Sequence, residues 1–143
     1  MMFCALFLFV SAVGAQCLDK PSMLNMVGQY QTAQNNLDAK ATASLFDTFA
    51  VLNMPVGNSA PIVGRAAIFQ AYSGYFNSLT SNNETVATPI VVSGSIAAYG
   101  KTIVVQQKAG PGFTAFVVSW FNFTCNAANG VLRVQSLSHA YDN

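Results

Sequence analysis

The fold is decided within Tyr30–Tyr72, YQTAQNNLDAKATASLFDTFAVLNMPVGNSAPIVGRAAIFQAY. Just ahead of it, Asp19 is placed to cap a helix whose first turn carries Pro21, the one helical turn that tolerates proline. Met23, Met26, Val27, Tyr30, Ala33 and Leu37 then share one face at helical spacing. Asn35-Asn36 interrupts the pattern, and Asp38 is placed to cap a second, shorter helix with Ala41, Leu45, Phe46 and Phe49 as its apolar stripe. Val51–Val56 (VLNMPV) reads as a short extended piece, Pro55 marking an edge or a strand end. Gly57–Pro61 is turn chemistry. Beyond Gly64 a third helix is strongly periodic, with Ile68, Tyr72, Tyr75, Phe76 and Leu79 on one stripe.

Working outward toward the C-terminus, the period changes. Ser81–Glu84 reads as a polar loop, after which Thr85–Ile96, Tyr99–Lys108, Phe113–Cys125 and Val131–Tyr141 are alternating and rich in β-branched residues. Gly100, Gly110-Pro111-Gly112 and Asn129-Gly130 punctuate these runs, so consecutive hairpins and an antiparallel sheet are expected. Helices followed by strands is an α+β order. Three N-terminal helices packed on a curved antiparallel sheet form the expected architecture, with no internal repeat.

Working outward toward the N-terminus, Met1–Val13 (MMFCALFLFVSAV) is apolar but short for a bilayer span. Val13-Gly14-Ala15 follows with small residues where a signal peptidase reads, although no charged residue precedes the apolar run. Residues 1–15 are therefore expected to be a signal peptide, 16–143 the mature domain and the protein secreted. A buried first strand or helix is the alternative. Removal of Cys4 with the signal leaves Cys17 and Cys125, which in an oxidising compartment suggest one disulfide rather than two free thiols. Two glycosylation sequons remain, at Asn83-Glu84-Thr85 and Asn122-Phe123-Thr124.

The 143 residues suffice for one domain with a real core, and 52% of them are hydrophobic. Six Lys and Arg against five Asp and Glu leave a net charge of +1, with no basic run to neutralise a row of phosphates, so nucleic-acid binding is disfavoured. No later segment is long and apolar enough to span a membrane. A single histidine without clustered ligands cannot build a tetrahedral metal site, and no feature calls for a cofactor.

The opening stretch, with its N-x-x-D junction (Asn35 to Asp38), "SLF", "P-V-G" and "G-R-A-A-I" elements, resembles the nuclear transport factor 2-like superfamily. Within it the chain is similar to bacterial ketosteroid isomerases and SnoaL-like polyketide cyclases. The resemblance implies a cone-shaped roll whose open end holds a ligand. In the isomerases a tyrosine on the first helix and a neutral carboxylic acid donate to a developing enolate, while an aspartate shuttles the proton. Carried over position by position, the tyrosine is Tyr30, the aspartate falls on Met54, and the neutral acid falls on or beside Ser119. Methionine carries no proton, so the usual route loses its base.

None of the mature carboxylates has an evident reason to enter a cavity: Asp19 and Asp38 read as caps, Asp47 lies off the helical stripe, Glu84 sits in the expected polar loop and Asp142 in the tail. His139 remains, on a strand face with Gln135, Leu137 and Tyr141, as either a base or a half-exposed residue near the chain end. Tyr30 is read equally as core or as pocket-facing. Phe46, Phe49, Met54, Val56, Phe69, Tyr72 and Phe76 are core by default, and would line an apolar pocket were the cone open.

On the strand Phe113–Cys125, Ala115, Val117, Ser119 and Phe121 are expected to face inward. Phe116, Val118 and Trp120 then form an outward patch, which the resemblance implies is a homodimer face. Asn122 shares that outward parity, so a glycan there competes with the dimer. Three functions follow: a pocket for a small hydrophobic ligand without turnover, an isomerase- or cyclase-like enzyme using Tyr30 and His139, or a non-catalytic structural homodimer.

Overall fold

Helix α1 (Lys20–Asn35) begins where Asp19 accepts the Ser22 amide at 2.8 Å, with Pro21 in its first turn. It buries Met23, Met26, Val27, Tyr30 and Ala33 along one face. Asp38 accepts the Ala41 amide at 2.8 Å and starts α2 (Ala39–Ser44). The computed structural model describes residues 17–54 and 60–142; the expected signal peptide and Val56 lie outside them.

The second helix ends earlier than its apolar spacing suggests, at Ser44. Phe46–Asn53 forms strand β1, which pairs with β2 (Ile62–Val63) ahead of α3 (Arg65–Asn77). The helices are therefore three in number among the described residues but are divided by two strands. A run of Phe, Thr, Val and Leu favours extended backbone once a sheet offers partners, and six residues of helix have little cooperativity to oppose that. The strands β3 (Leu79–Val86), β4 (Val91–Ser93), β5 (Ile96–Gln107), β6 (Phe113–Asn126) and β7 (Val131–Asp142) follow. Ser81–Glu84 is thus strand rather than loop, held to β5 by the Asn82–Val105 and Glu84–Ile103 pairs.

One sheet runs β2-β1-β7-β6-β5-β3, with β4 also on β5. It is not wholly antiparallel. β1 lies parallel to β7, through Leu52–Leu137 and Asn53–Ser138, because the chain crosses over α3 and the meander before β7 returns beside β1. Bulges in β1, β3 and at Asn122/Phe123 opposite β7 bend the sheet round the helices. The third of these leaves Gln135 exposed and shifts the alternation, so Leu132 and Val134 are buried before it and Leu137 and His139 after it. Gln135 consequently does not share the face of His139.

The core joins α1 and α3 to the inner face of β5, β6 and β7. Phe121 is its hub, with its ring stacked between Tyr99 and Phe123 and edge-on to Tyr30 at 5.2 Å. Cys17 is bonded to Cys125 on β6, with Cα atoms 5.7 Å apart. On the outer face Phe116 and Val118 are half-buried and Trp120 is exposed. No helix among the described residues is long and apolar enough to cross a membrane.

Candidate functional site

Strand β5 places Ala97, Tyr99, Lys101, Ile103 and Val105 on the buried face. A lysine at an inward register position needs a compensating charge. Glu84 supplies it from β3, opposite Ile103 and diagonal to Lys101, with Nζ and Oε2 2.7 Å apart. Helix α1 fixes that strand: the Glu84 amide donates to Asn35 Oδ1 at 2.6 Å, and its carbonyl accepts from Gln31 Nε2 at 2.7 Å. The ammonium lies 5.1 Å from the centre of the Tyr30 ring, a cation–π distance.

Beside this pair runs a hydrogen-bonded chain of four side chains from four elements. Tyr72 Oη (α3) and Tyr30 Oη (α1) are 2.8 Å apart, Tyr30 Oη is 3.4 Å from His139 Nε2 (β7), and His139 Nδ1 is 2.8 Å from Ser119 Oγ (β6). Burial, then the Lys101 charge, hold His139 well below its ordinary value, so the ring is neutral at pH 7. Burial likewise raises Tyr30 and Tyr72 far above the ordinary tyrosine value, so both keep their protons. A neutral imidazole offers one donor and one acceptor. With the proton on Nδ1, Ser119 accepts, Nε2 accepts from Tyr30, and Tyr30 accepts from Tyr72. With the proton on Nε2, every bond reverses. Both arrangements satisfy all the internal bonds.

Tyr30, Tyr72 and His139 border a hollow of about 20 Å³, with Gln34, Met54, Tyr75, Glu84, Lys101 and Tyr141 completing much of its wall. That is room for about one water-sized group. The half-buried Met54, Tyr75 and Tyr141 form its least covered end. The Tyr99 hydroxyl and Asn82 Oδ1 are buried without a hydrogen-bond partner among the described residues. No cluster of three or more metal-ligating side chains occurs among the described residues.

Of the residues singled out from the sequence, Tyr30, Met54, Tyr72 and His139 meet at this hollow, with Ser119 behind His139. Phe46, Phe76 and Leu137 are buried in the apolar core away from it. Phe49 is 81% exposed and Phe69 37% exposed, because Phe49 belongs to a strand rather than a helix and Phe69 faces away from the Ile68–Tyr72–Phe76 stripe. Among the described residues these side chains do not line one shared apolar pocket, and the hollow beside Tyr30 has a wall of mixed polar and apolar groups. Glu84 and Lys101 were not among the expected site residues. The signal for Lys101 was present: it occupies an inward position in the alternation Tyr99, Lys101, Ile103.

No protein-family model matches the sequence, and no curated protein matches it. Solved structures do match in shape. A protein from Novosphingobium aromaticivorans named for a suspected aromatic ring hydroxylase activity is 16% identical, with TM-score 0.72 over 86% of this chain and 88% of its own. A protein from Catenulispora acidiphila with a ketosteroid isomerase-like fold, solved with trimethylamine, is 14% identical, with TM-score 0.70 over 82% and 85%. A suspected dehydratase of the NTF2-like family from Streptomyces avermitilis is 13% identical, with TM-score 0.69 over 87% and 97%. Such identities speak to fold alone. The chain has the ketosteroid isomerase-like, NTF2-like fold.

Proposed function

We propose that the Tyr30–His139 cluster is a proton-transfer site for a small carbonyl compound, in the manner of an isomerase or dehydratase. The observation that carries this reading is the chain itself: Tyr30 Oη reaches both Tyr72 Oη at 2.8 Å and His139 Nε2 at 3.4 Å. Tyr30 and Tyr72, protonated and buried, are donors for the oxygen of a developing enolate. His139, neutral and held through Nδ1 by Ser119, presents Nε2 as the base that takes the α-proton. The position expected to hold the family's aspartate is Met54, so the base comes instead from His139 on the neighbouring strand β7, where Asn53 pairs with Ser138. The isomerase-like and dehydratase names of the structural neighbours agree with this chemistry.

The size of the hollow favours a substrate far smaller than a steroid, admitted by movement of Met54, Tyr75 and Tyr141. The same size favours a second reading, in which the cone is filled by its own side chains and catalyses nothing. Exchange of α-protons in acetone and cyclohexanone in D2O, followed by proton NMR, separates the two. Proton transfer requires exchange above buffer, reduced about 10²–10⁴-fold in His139→Ala. Exchange no faster than buffer for both ketones, or equal in both proteins, refutes it. We also infer that the domain works outside the cytosol, supported by the Cys17–Cys125 bond, and pairs through Phe116, Val118 and Trp120, supported by the exposure of Trp120.

A further inference from the structure

Outside the cone, α2, β1 and the start of α3 line an open groove of about 970 Å³. Phe49 and Val63, 81% and 61% exposed, form its floor with Phe69. Lys40, Arg65 and Arg133 border it, and no Asp or Glu does. In a chain with only six Lys and Arg, one of them buried against Glu84, this is a strong concentration of charge. Two acids lie close to the lining in sequence: Asp38 accepts the Ala41 amide at 2.8 Å, and Asp47 accepts the amide of the groove residue Phe49 at 3.3 Å. Arg65 is anchored by its Nε, which donates to the Phe46 carbonyl at 2.8 Å. Among the described residues none of the three cations has an ion-pair partner.

We propose that this groove binds a single-chain amphiphile with an anionic head, taken as a free molecule from solution. The apolar body covers Phe49, Val63 and Phe69, and the head is met by the cations, of which the Arg65 and Arg133 guanidinium groups suit a carboxylate. Charge complementarity selects this occupant. A neutral alcohol leaves three unpaired cations at the rim, and a cationic amphiphile is repelled by them.

Isothermal titration with dodecanoate, kept below its micelle concentration, tests the assignment against 1-dodecanol and dodecyltrimethylammonium. Saturable one-to-one binding of dodecanoate is expected, with the other two weaker. Phe49→Ser weakens it about tenfold or more, since a buried Phe contributes roughly that much. Lys40→Gln with Arg133→Gln weakens dodecanoate at least about threefold and leaves dodecanol unchanged. Phe49 and Lys40 are exposed and Arg133 is half-buried, and circular dichroism checks that each variant is folded. Equal binding of all three amphiphiles, or binding unaffected by Phe49→Ser, overturns the proposal. So does association with phosphatidylglycerol vesicles without binding of monomeric dodecanoate, which makes the groove a membrane contact. Dimerisation in sedimentation velocity that Phe49→Ser abolishes, without dodecanoate binding, makes it a contact between copies and also overturns it.

Discussion

Replacing Lys101 by methionine keeps an unbranched side chain one atom shorter and removes its charge, leaving Glu84 buried beside a thioether. Lys101 and Glu84 are 1% and 4% exposed, so water does not take over the lost contact. Breaking a buried pair from one side costs about 3–5 kcal/mol. The cation–π contact with Tyr30 adds about 0.5–2 kcal/mol to that. For a domain of this size the sum lowers Tm by very roughly 10–25 °C. Replacing both residues, Lys101→Met with Glu84→Gln, removes the stranded charge and is expected to recover about 2 kcal/mol or more of the loss. Urea denaturation followed by far-UV circular dichroism and Trp120 fluorescence, without reductant, reads both values. A single-variant cost below about 1 kcal/mol refutes the reasoning, and so does a double variant less stable than Lys101→Met.

The two other internal features give further expectations. Burial and the Lys101 charge hold His139 below its ordinary 6.5, so below that pH the unfolded chain binds a proton that the folded protein refuses. Stability therefore falls as pH drops from 6.5, by up to about 1.36 kcal/mol per unit, and is regained above it. Urea midpoints between about pH 5 and 8 should show this slope in the native protein and lose it in His139→Gln; an unchanged slope in the variant removes His139 as its source. The bond between Cys17 and Cys125 spans 108 residues, for which chain entropy gives about 4.8 kcal/mol. Cys17→Ser with Cys125→Ser should lower unfolding free energy by a large part of that, and a loss under about 1 kcal/mol rejects the bridge as a clamp.

Helix positions were legible where a cap and a stripe agreed. Asp19 with the Met23–Ala33 face, and the Ile68–Tyr72–Phe76 stripe, fix α1 and α3 by local chemistry alone. Phe46–Phe49 misled because helical and extended backbone both suit four such residues. The deciding partner, β7, lies more than 80 positions away, as the Asn53–Ser138 pair shows. Polarity hid β3: Ser81, Asn82, Asn83 and Glu84 resemble a loop until one sees that Asn82 and Glu84 are buried against α1 and β5. Discarding Glu84 as solvated also discarded the counter-charge of Lys101, although a lysine amid an inward apolar alternation already demanded an acid. At the hollow, the resemblance pointed to Tyr30 and the strand alternation to His139, whereas Tyr72 gained its polar contact only when α3 set its hydroxyl against that of Tyr30. The bulge at Gln135 left no mark in the alternation, since it moves residues between faces without changing their type.

The position of β7 between β1 and β6 has a bearing on how the domain comes into being. During synthesis β1 emerges early and finds only the two-residue β2 beside it, leaving its other edge open until residues 131–142 are made. The sulfur of Cys17 waits almost as long for Cys125. Assembly is thus deferred until residues 131–142 are made, when one strand zips the N-terminal half to the meander. In that interval the nascent chain is exposed to chaperones and to aggregation through the β1 edge.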